Sequence, residues 1–459
     1  MVRFSRQPQA DGPIMSAASR VAIVGAGAAG LAMARQLDRA GLESVVFEAE
    51  RRLGGTWVYD EATESDPLGR APGRRRIHTS MYAGLHTNLP RDLMAFREFP
   101  FDDSTGGRKD MPRFPRHTDV LHYLERYAEH FNLVRRIRFG NRVSSVVPLG
   151  ESGEAWTDRG DEPTAWQVRS IDAGGSTRNE QFSAVAICNG HYAFPRVPSL
   201  PGAEHFEGRQ LHSHSYRHPE DYRGERVVLL GARASGIDIA FELGRHAREV
   251  HLCARGVKQA APFFGRENIS LHPSIASLES GATAVLDDGS CIEKVDTLLY
   301  CTGYEYRLPF LDPEREASPI VAVEDNWIHP LFLDLVAARA ATLGLVGLPN
   351  SVVPFPQYEL QANLLARSLA GYTVLPSRPE REKLADQRAT ELRTAGIAQR
   401  HFLQQGDAQF AYNDELARLG KADCLPASFR RLHAEVEQAR FRDPETYRDE
   451  EFPPLENDS

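Results

Sequence analysis

Along residues 20–49, RVAIVGAGAAGLAMARQLDRAGLESVVFEA, a short unbroken apolar run passes into glycines, then into apolar residues at helical spacing, then into a second apolar run. This order predicts a strand over 21–24, a turn, a helix closed by Gly41, and a strand over SVVFE. The same order returns further on: ERVVLL predicts a strand over 226–230, GARASG a turn, residues 236–245 a helix, and EVHLCAR a strand. Two other runs, FSAVAICNGHYAFPRVP (182–198) and VDTLLYCTGYEYRLP (295–309), each read as a strand ending in glycine and then proline, where the chain bends. They mark the points at which the chain leaves a first domain and comes back to it. The last ninety or so residues follow a helical period, as in QYELQANLLARSLAG and YNDELARLG, with prolines between. No periodic repeat or low-complexity tract interrupts this plan.

The glycine turns carry candidate chemistry. In the first, Gly25 permits a tight turn, Gly27 lets backbone approach a pyrophosphate, and Gly30 lets the helix pack on its strand. Ala28 and Ala29 then open the helix, whose positive end faces the phosphates. Glu48 falls 23 residues beyond Gly25 at the end of the second strand. A carboxylate there accepts hydrogen bonds from ribose hydroxyls and repels a 2′-phosphate, which selects FAD or NAD over NADP. In the second turn Gly231, Ser235 and Gly236 keep the pattern, but Arg233 stands where the second glycine is expected, and Arg255 stands 24 residues beyond Gly231 in place of the acid. A guanidinium suits a 2′-phosphate, and losing one such charge-assisted contact costs about 1.5–3 kcal/mol, so the second site is expected to take NADPH. Arg233 restricts backbone approach unless it points outward or adds a charge contact of its own. An acid-tagged turn followed by a base-tagged one describes hydride transfer from NADPH to a flavin.

Composition narrows the class. A chain of 459 residues has room for two or three domains. Its formal charge of −9, mixed in sign along the chain, offers no basic surface for nucleic acid or anionic lipid, and the arginine run at 74–76 reads as a solvated loop face. Five scattered cysteines without a two-residue spacing suit a reducing cytosol, and no redox pair precedes Cys188. The opening residues 1–19 lack the apolar core of a secretory signal and read as a disordered leader. The longest apolar stretch, FLDLVAARAATLGLVGL (332–348), is cut by Asp334 and Arg339, so no membrane span is expected. His212, His214 and His218 alternate, but with no acidic or cysteine partner nearby no metal site is expected.

The stretch FEGRQLHSHSY holds Phe206, Gly208, His212 and Tyr216 in an FxGxxxHxxxY pattern just before the second turn. With GGTW (54–57), TNLP (87–90), CNGH (188–191), CTGY (301–304) and PFPQYELQ (354–361), it resembles the flavin-containing monooxygenases over roughly residues 21–420. ESDPLG, HSHSYR, CNGHY and a bulky residue in the second turn are most similar to the plant-type branch that S-oxygenates thioethers. The resemblance implies an α/β fold of two Rossmann-like dinucleotide-binding domains, the NADP domain (195–303) inserted into the FAD domain (20–194 and 304–459, the latter with a helical C-terminal region). It implies that NADPH reduces FAD, that oxygen adds at flavin C4a, and that retained NADP+ shelters a hydroperoxyflavin that oxygenates a small soft nucleophile, a thioether or an amine. Leu53, Gly54, Thr56, Trp57 and Thr302 are implied at FAD, and Phe206, Gly208, His212 and Tyr216 on the NADP side, where they position and couple. Asn88 of TNLP is the implied active-site side chain, a neutral amide able to donate and accept. Trp57 and Phe47 are expected to pack rather than react.

The whole describes a cytoplasmic enzyme acting with O2, without nucleic acid or membrane, and compatible with a homodimer. Baeyer–Villiger monooxygenases share the turns, although their linker pattern ends in tryptophan where this chain has Tyr216. N-hydroxylating monooxygenases are a further alternative. Arg233 keeps open a nucleotide-binding redox-responsive module or an uncoupled NADPH oxidase.

Overall fold

The computed structural model describes residues 19–74, 76–311 and 320–455. The leader expected over 1–19 therefore lies, but for Ser19, outside the described residues, as does Arg75 of the arginine run. The chain opens with β1 (Arg20–Val24), α1 (Ala28–Arg39) and β2 (Glu43–Phe47), and after a long loop forms α2 (Arg91–Met94), α3 (His117–His130) and β3 (Ile137–Arg138). β4 (Asn141–Leu149), β5 (Ala165–Asp172) and β6 (Thr177–Phe182) form a small antiparallel sheet, and β7 (Ala184–Ile187) closes this half. The strands β1 and β7 carry only apolar residues along their buried lengths because both faces of a parallel sheet are covered.

The chain then builds a second sheet before returning. β8 (Arg209–His212), β9 (Arg226–Leu230), α4 (Ala234–Leu243), β10 (Glu249–Ala254), β11 (Ala261–Phe263) and β12 (Arg266–Pro273) are followed by the small sheet β13 (Ile275–Glu279), β14 (Thr283–Leu286) and β15 (Cys291–Ile292), and then by β16 (Thr297–Tyr300). The hairpin β17 (Ala322–Glu324) and β18 (Trp327–His329) leads to β19 (Leu331–Phe332), β20 (Val336–Ala337) and β21 (Leu343–Leu345). The first sheet has the order β19-β20-β21-β7-β1-β2-β3 and the second β11-β12-β10-β9-β16-β8. Strand β21 pairs in parallel with β7, so everything from β8 to β16 is inserted between two neighbours of one sheet. The fold is α/β, with a second Rossmann-like unit inserted in the first.

Four helices follow: α5 (Pro354–Leu369), α6 (Arg378–Thr394), α7 (Ala408–Leu419) and α8 (Ala427–Arg442). Helix α5 buries Leu360, Leu364 and Leu365 in the same core as Leu31 and Leu37 of α1. Each such side chain contributes about 1.5–3 kcal/mol by leaving water. The apolar stretch 332–348 becomes three short strands, with Asp334 paired to Arg388 through Nε at 3.1 Å and Arg339 paired to Glu382 at 3.3 Å. Among the described residues no helix is long and apolar enough to cross a membrane.

One boundary differs from expectation: α4 starts at Ala234, two residues before the predicted start, because Arg233 takes the N-cap with extended backbone (φ −98°, ψ −171°). Beyond α8 the chain crosses to the second unit. Glu445 accepts from Arg266 Nε at 2.8 Å, and Arg113 of the first unit donates to the Pro453 carbonyl at 2.6 Å.

Candidate nucleotide and active site

The two glycine turns are built alike. Gly25 has φ +104°, and a Cβ there would lie 2.6 Å from the Cys188 carbonyl oxygen; one on Gly30 would lie 2.0 Å from the Gly25 carbonyl oxygen. In the second turn Gly231 has φ +115°, with the Cys301 carbonyl oxygen 2.4 Å from its would-be Cβ, and Gly236 is 1.9 Å from the Gly231 carbonyl oxygen in the same sense. First and third glycines are thus required by the protein's own backbone. The second is not: Gly27 is extended (φ −76°, ψ −175°), and its Cβ would meet nothing nearer than Gly55 Cα at 3.5 Å. Arg233 holds the equivalent backbone conformation without strain, and its side chain is exposed. Only a ligand pressed against the turn distinguishes glycine from a side chain there.

Both turns open on one cavity of about 1830 Å³. Its wall includes Gly25, Gly27, Ala28, Ala29 and Glu48 of the first βαβ unit, then Gly54, Thr56 and Trp57, then Asn88, and from the second unit Arg233 and Ser235. Gly30, Gly231 and Gly236 lie beneath the turns, and Leu53 is buried off the wall. Trp57 packs edge-on against Phe355 at 6.4 Å and Phe47 against Phe182 at 5.8 Å, although both also touch the cavity.

Glu48 is buried at the end of β2. Its Oε2 accepts the Ala26 N–H at 2.7 Å and its Oε1 the Glu50 N–H at 2.8 Å. Burial pushes its carboxyl up from the usual range, and those two hydrogen bonds oppose the shift. A carboxylate offers about four acceptor positions, so capacity remains for ribose hydroxyls. Arg255 lies just past β10, exposed and off the cavity wall. Burial and then Arg233, Arg400, Arg255 and Arg196 hold His401 below the usual imidazole range, so four guanidiniums, Arg233 of the second turn among them, lie near that ring. Sequence reasoning found Arg233 and Arg255 but missed Arg196, on a loop, and Arg400, in the short 3-10 turn Gln399–His401, where no motif marks them.

Asn88 is held by its neighbours rather than by its own side chain. Thr87 N–H donates to the Pro115 carbonyl at 2.9 Å, Thr87 Oγ1 to the Leu89 carbonyl at 2.7 Å, and Pro90 caps α2. Among the described residues the Asn88 amide has no hydrogen-bond partner, and it faces the cavity. His78 and His191 share that wall, and burial brings each down to about 4, so both are neutral near pH 7. A cradle with an open second glycine, a ribose acceptor and an unpartnered amide fits a dinucleotide carrying a ring of alternating donors and acceptors.

The FxGxxxHxxxY residues lie elsewhere. Phe206 is buried, and Gly208 is small because a Cβ would sit 2.6 Å from the Phe206 ring and 2.5 Å from the Val295 carbonyl oxygen. His212 is fully buried, its Nδ1 accepts the His214 N–H at 3.1 Å, and burial brings it down to about 3. Tyr216 is fully buried, packs edge-on to Tyr82 at 5.3 Å, and donates its hydroxyl to Glu242 Oε2 at 2.9 Å. Arg217, next in sequence, donates to the carbonyls of Asp60, Ala62, His214 and Tyr216 within 3.0 Å. The segment fastens the two units together behind the cavity. Thr302, expected at the flavin, lies beyond β16 of the second sheet, with its hydroxyl on the Arg196 carbonyl.

The sequence pattern of the flavin-binding monooxygenase-like family matches residues 18–259 and 264–426. "Flavin-containing monooxygenase FMO GS-OX-like 4" of Arabidopsis thaliana is 38% identical over 438 residues, covering 94% of this chain and 93% of its own. The structure of S-allyl-L-cysteine S-oxygenase from Allium sativum superposes with a TM-score of 0.87 at 37% identity, covering 94% of this chain and 95% of its own. An open crystal structure of cyclohexanone monooxygenase shares the fold, with a TM-score of 0.59 at 15% identity, over 88% of this chain and 98% of its own.

Proposed function

This chain belongs to the flavin-binding monooxygenase-like family, and we propose that it oxygenates the sulfur of small thioethers to sulfoxides at the expense of NADPH and O2. FAD and NADPH are its cofactors, and when bound the reduced flavin supplies the activated oxygen. The observation that carries the reading is the meeting of both nucleotide turns and the unpartnered Asn88 amide on one cavity. The Allium sativum relative is named for S-oxygenation of S-allyl-L-cysteine, a thioether, which suggests the substrate class.

The protein's part is to bind, orient and exclude water. Gly25, Gly27, Ala28, Ala29, Gly30 and Glu48 bind FAD, with Leu53, Gly54, Thr56 and Trp57 beside it. Gly231, Arg233, Ser235, Gly236 and Arg255 bind NADPH, Arg255 taking the 2′-phosphate with Arg196 and Arg400 in support. Asn88 hydrogen-bonds at the reacting centre without offering an acidic proton, and His78 and His191, neutral near pH 7, add no charge or acidic N–H⁺ beside it. Phe206, Gly208, His212 and Tyr216 hold the junction, and Thr302 joins it from the second sheet. We place the FAD domain at 20–194 and 304–459 and the NADP domain at 195–303. Five unpaired thiols suit a cytoplasmic setting.

The test is product analysis. FAD-loaded protein given NADPH, air and an S-alkyl cysteine is expected to form sulfoxide in step with NADPH consumed. Peroxide alone from the S-alkyl cysteine, or, in parallel assays, an N-oxide from a tertiary amine or an ester from a ketone while the thioether gives no sulfoxide, would each overturn the assignment.

A further inference from the structure

The loop that presents Asn88 lies against the acidic face of α4, and one residue from the far end of the chain joins the two. Arg448 Nε donates to the Thr87 carbonyl at 2.9 Å, and its Nη2 donates to Asp238 Oδ1 and Oδ2 at 3.2 and 3.1 Å. Thr87 precedes Asn88 directly, and Asp238 lies three residues beyond Ser235 of the second nucleotide turn. Thr87, Asn88 and Asp238 all reach the cavity, whereas Arg448 does not. One helical turn along, Glu242 lies so close to the same loop that a Cβ on Gly84 would come within 2.1 Å of its Oε1.

Arg448 is itself held firmly. Neighbouring Tyr447 is fully buried and packs edge-on to Phe114 at 5.5 Å. Asp443 Oδ1 accepts the N–H groups of Glu445 and Thr446 at 3.0 and 3.2 Å, and Glu445 binds Arg266. The C-terminal segment thus bridges first unit, second unit and the Asn88 loop.

We propose that Arg448 is a positioning residue that locks the Asn88 loop to α4, so that the amide keeps a fixed place relative to the second nucleotide turn. The idea rests on the monooxygenase reading for its consequence, but the lock itself is a property of the protein without nucleotides. A planar guanidinium sends Nε–H and Nη–H in two fixed directions at once, which a lysine ammonium on a flexible stem does not reproduce. Loosening the lock leaves both nucleotide turns intact while letting Asn88 drift, and a displacement near 1 Å at a reacting centre is enough to lower a rate about a hundredfold.

The experiment compares wild type with Arg448→Met, Arg448→Lys and Asp238→Asn and with the Arg448→Met/Asp238→Asn double variant. In nucleotide-free protein, hydrogen exchange across residues 84–90 is expected to speed up at least five-fold in Arg448→Met, with the strands β1 and β9 unchanged. In FAD-loaded protein, peroxide released per NADPH consumed is expected to rise at least three-fold in every variant. Lysine should not rescue, and the double variant should be no worse than the worse single one. Unchanged exchange across 84–90, full rescue by lysine, or additive effects in the double variant would each overturn the proposal. Should Arg448→Met not fold, Asp238→Asn and Arg448→Lys decide by the same exchange measurement. A wild type that makes no sulfoxide would defeat the functional reading yet leave the exchange comparison to decide the lock.

Discussion

Gly27 and Arg233 occupy the same turn position with the same extended backbone, and both lie on the wall of the cavity. This separates two reasons for a glycine that a motif cannot distinguish. Gly25 and Gly231 answer to a positive φ and to a carbonyl oxygen within 2.6 Å of a would-be Cβ. Gly27 answers to no such contact, and on the proposed function its smallness serves a pyrophosphate. Gly27→Ala is therefore expected to fold and to gain about 0.4–1 kcal/mol, since alanine adopts this backbone conformation freely and narrows the unfolded ensemble. It is also expected to lose flavin on gel filtration; thermal melting and the absorbance of bound flavin read the two effects separately. The Arg233 side chain is exposed and, with Arg196, Arg255 and Arg400, lies near enough to His401 to lower its pKa; on the proposed function it adds positive charge for the nucleotide phosphates.

At the scale of elements, α4 does more than close a βαβ unit. Its Asp238 and Glu242 point at the 82–88 loop, where Tyr216 donates to Glu242 and Arg448 to Asp238. Burial pushes the Glu242 carboxyl up to about 7, with the Tyr216 hydrogen bond opposing. Its folded value is thus higher than its unfolded one, so the folded state holds more protons between about pH 4.5 and 7. Stability from this group is consequently lost as pH rises through that window. Glu242→Gln keeps an acceptor for Tyr216 and removes the charge. It should be more stable than wild type at pH 8 by on the order of 1–2 kcal/mol, with little difference at pH 4.5, as melting curves at the two values will report. The FxGxxxHxxxY motif was easy to find in the sequence, yet its work was not: Gly208 makes room for the Phe206 ring, and Tyr216 serves α4. A pattern identifies residues that recur together without saying whether they face a ligand or a core.

For the whole molecule, the cavity of about 1830 Å³ lies between layers that are otherwise densely packed, and both nucleotide units and the C-terminal helices contribute to its wall. Filling it should stabilise the assembly of units, not one unit alone. FAD bound at a hundred times its dissociation constant adds about 2.7 kcal/mol to unfolding. Flavin-stripped protein is expected to melt at lower temperature, and proteolysis should then open the junction near residues 82–88 before the strands of either sheet. Readdition of FAD should restore both.

What the sequence determined by itself is what depends on residues a few positions apart. The strand, turn and helix periods, the glycines that need positive φ, and the insertion of one Rossmann-like unit into another were all legible there. The start of α4 was misplaced by two residues because a cap is a backbone choice that Arg233 makes without a recognisable capping side chain. Tertiary structure alone decided which face each motif presents and who meets whom across the junction. Arg448 lies 361 residues from Thr87 and 210 from Asp238, and Arg196 and Arg400 come from distant parts of the chain to share the field at His401 with Arg233 of the second turn. Contacts at such separations are set by how two domains and a terminal segment pack, which no local pattern of apolar and polar residues encodes.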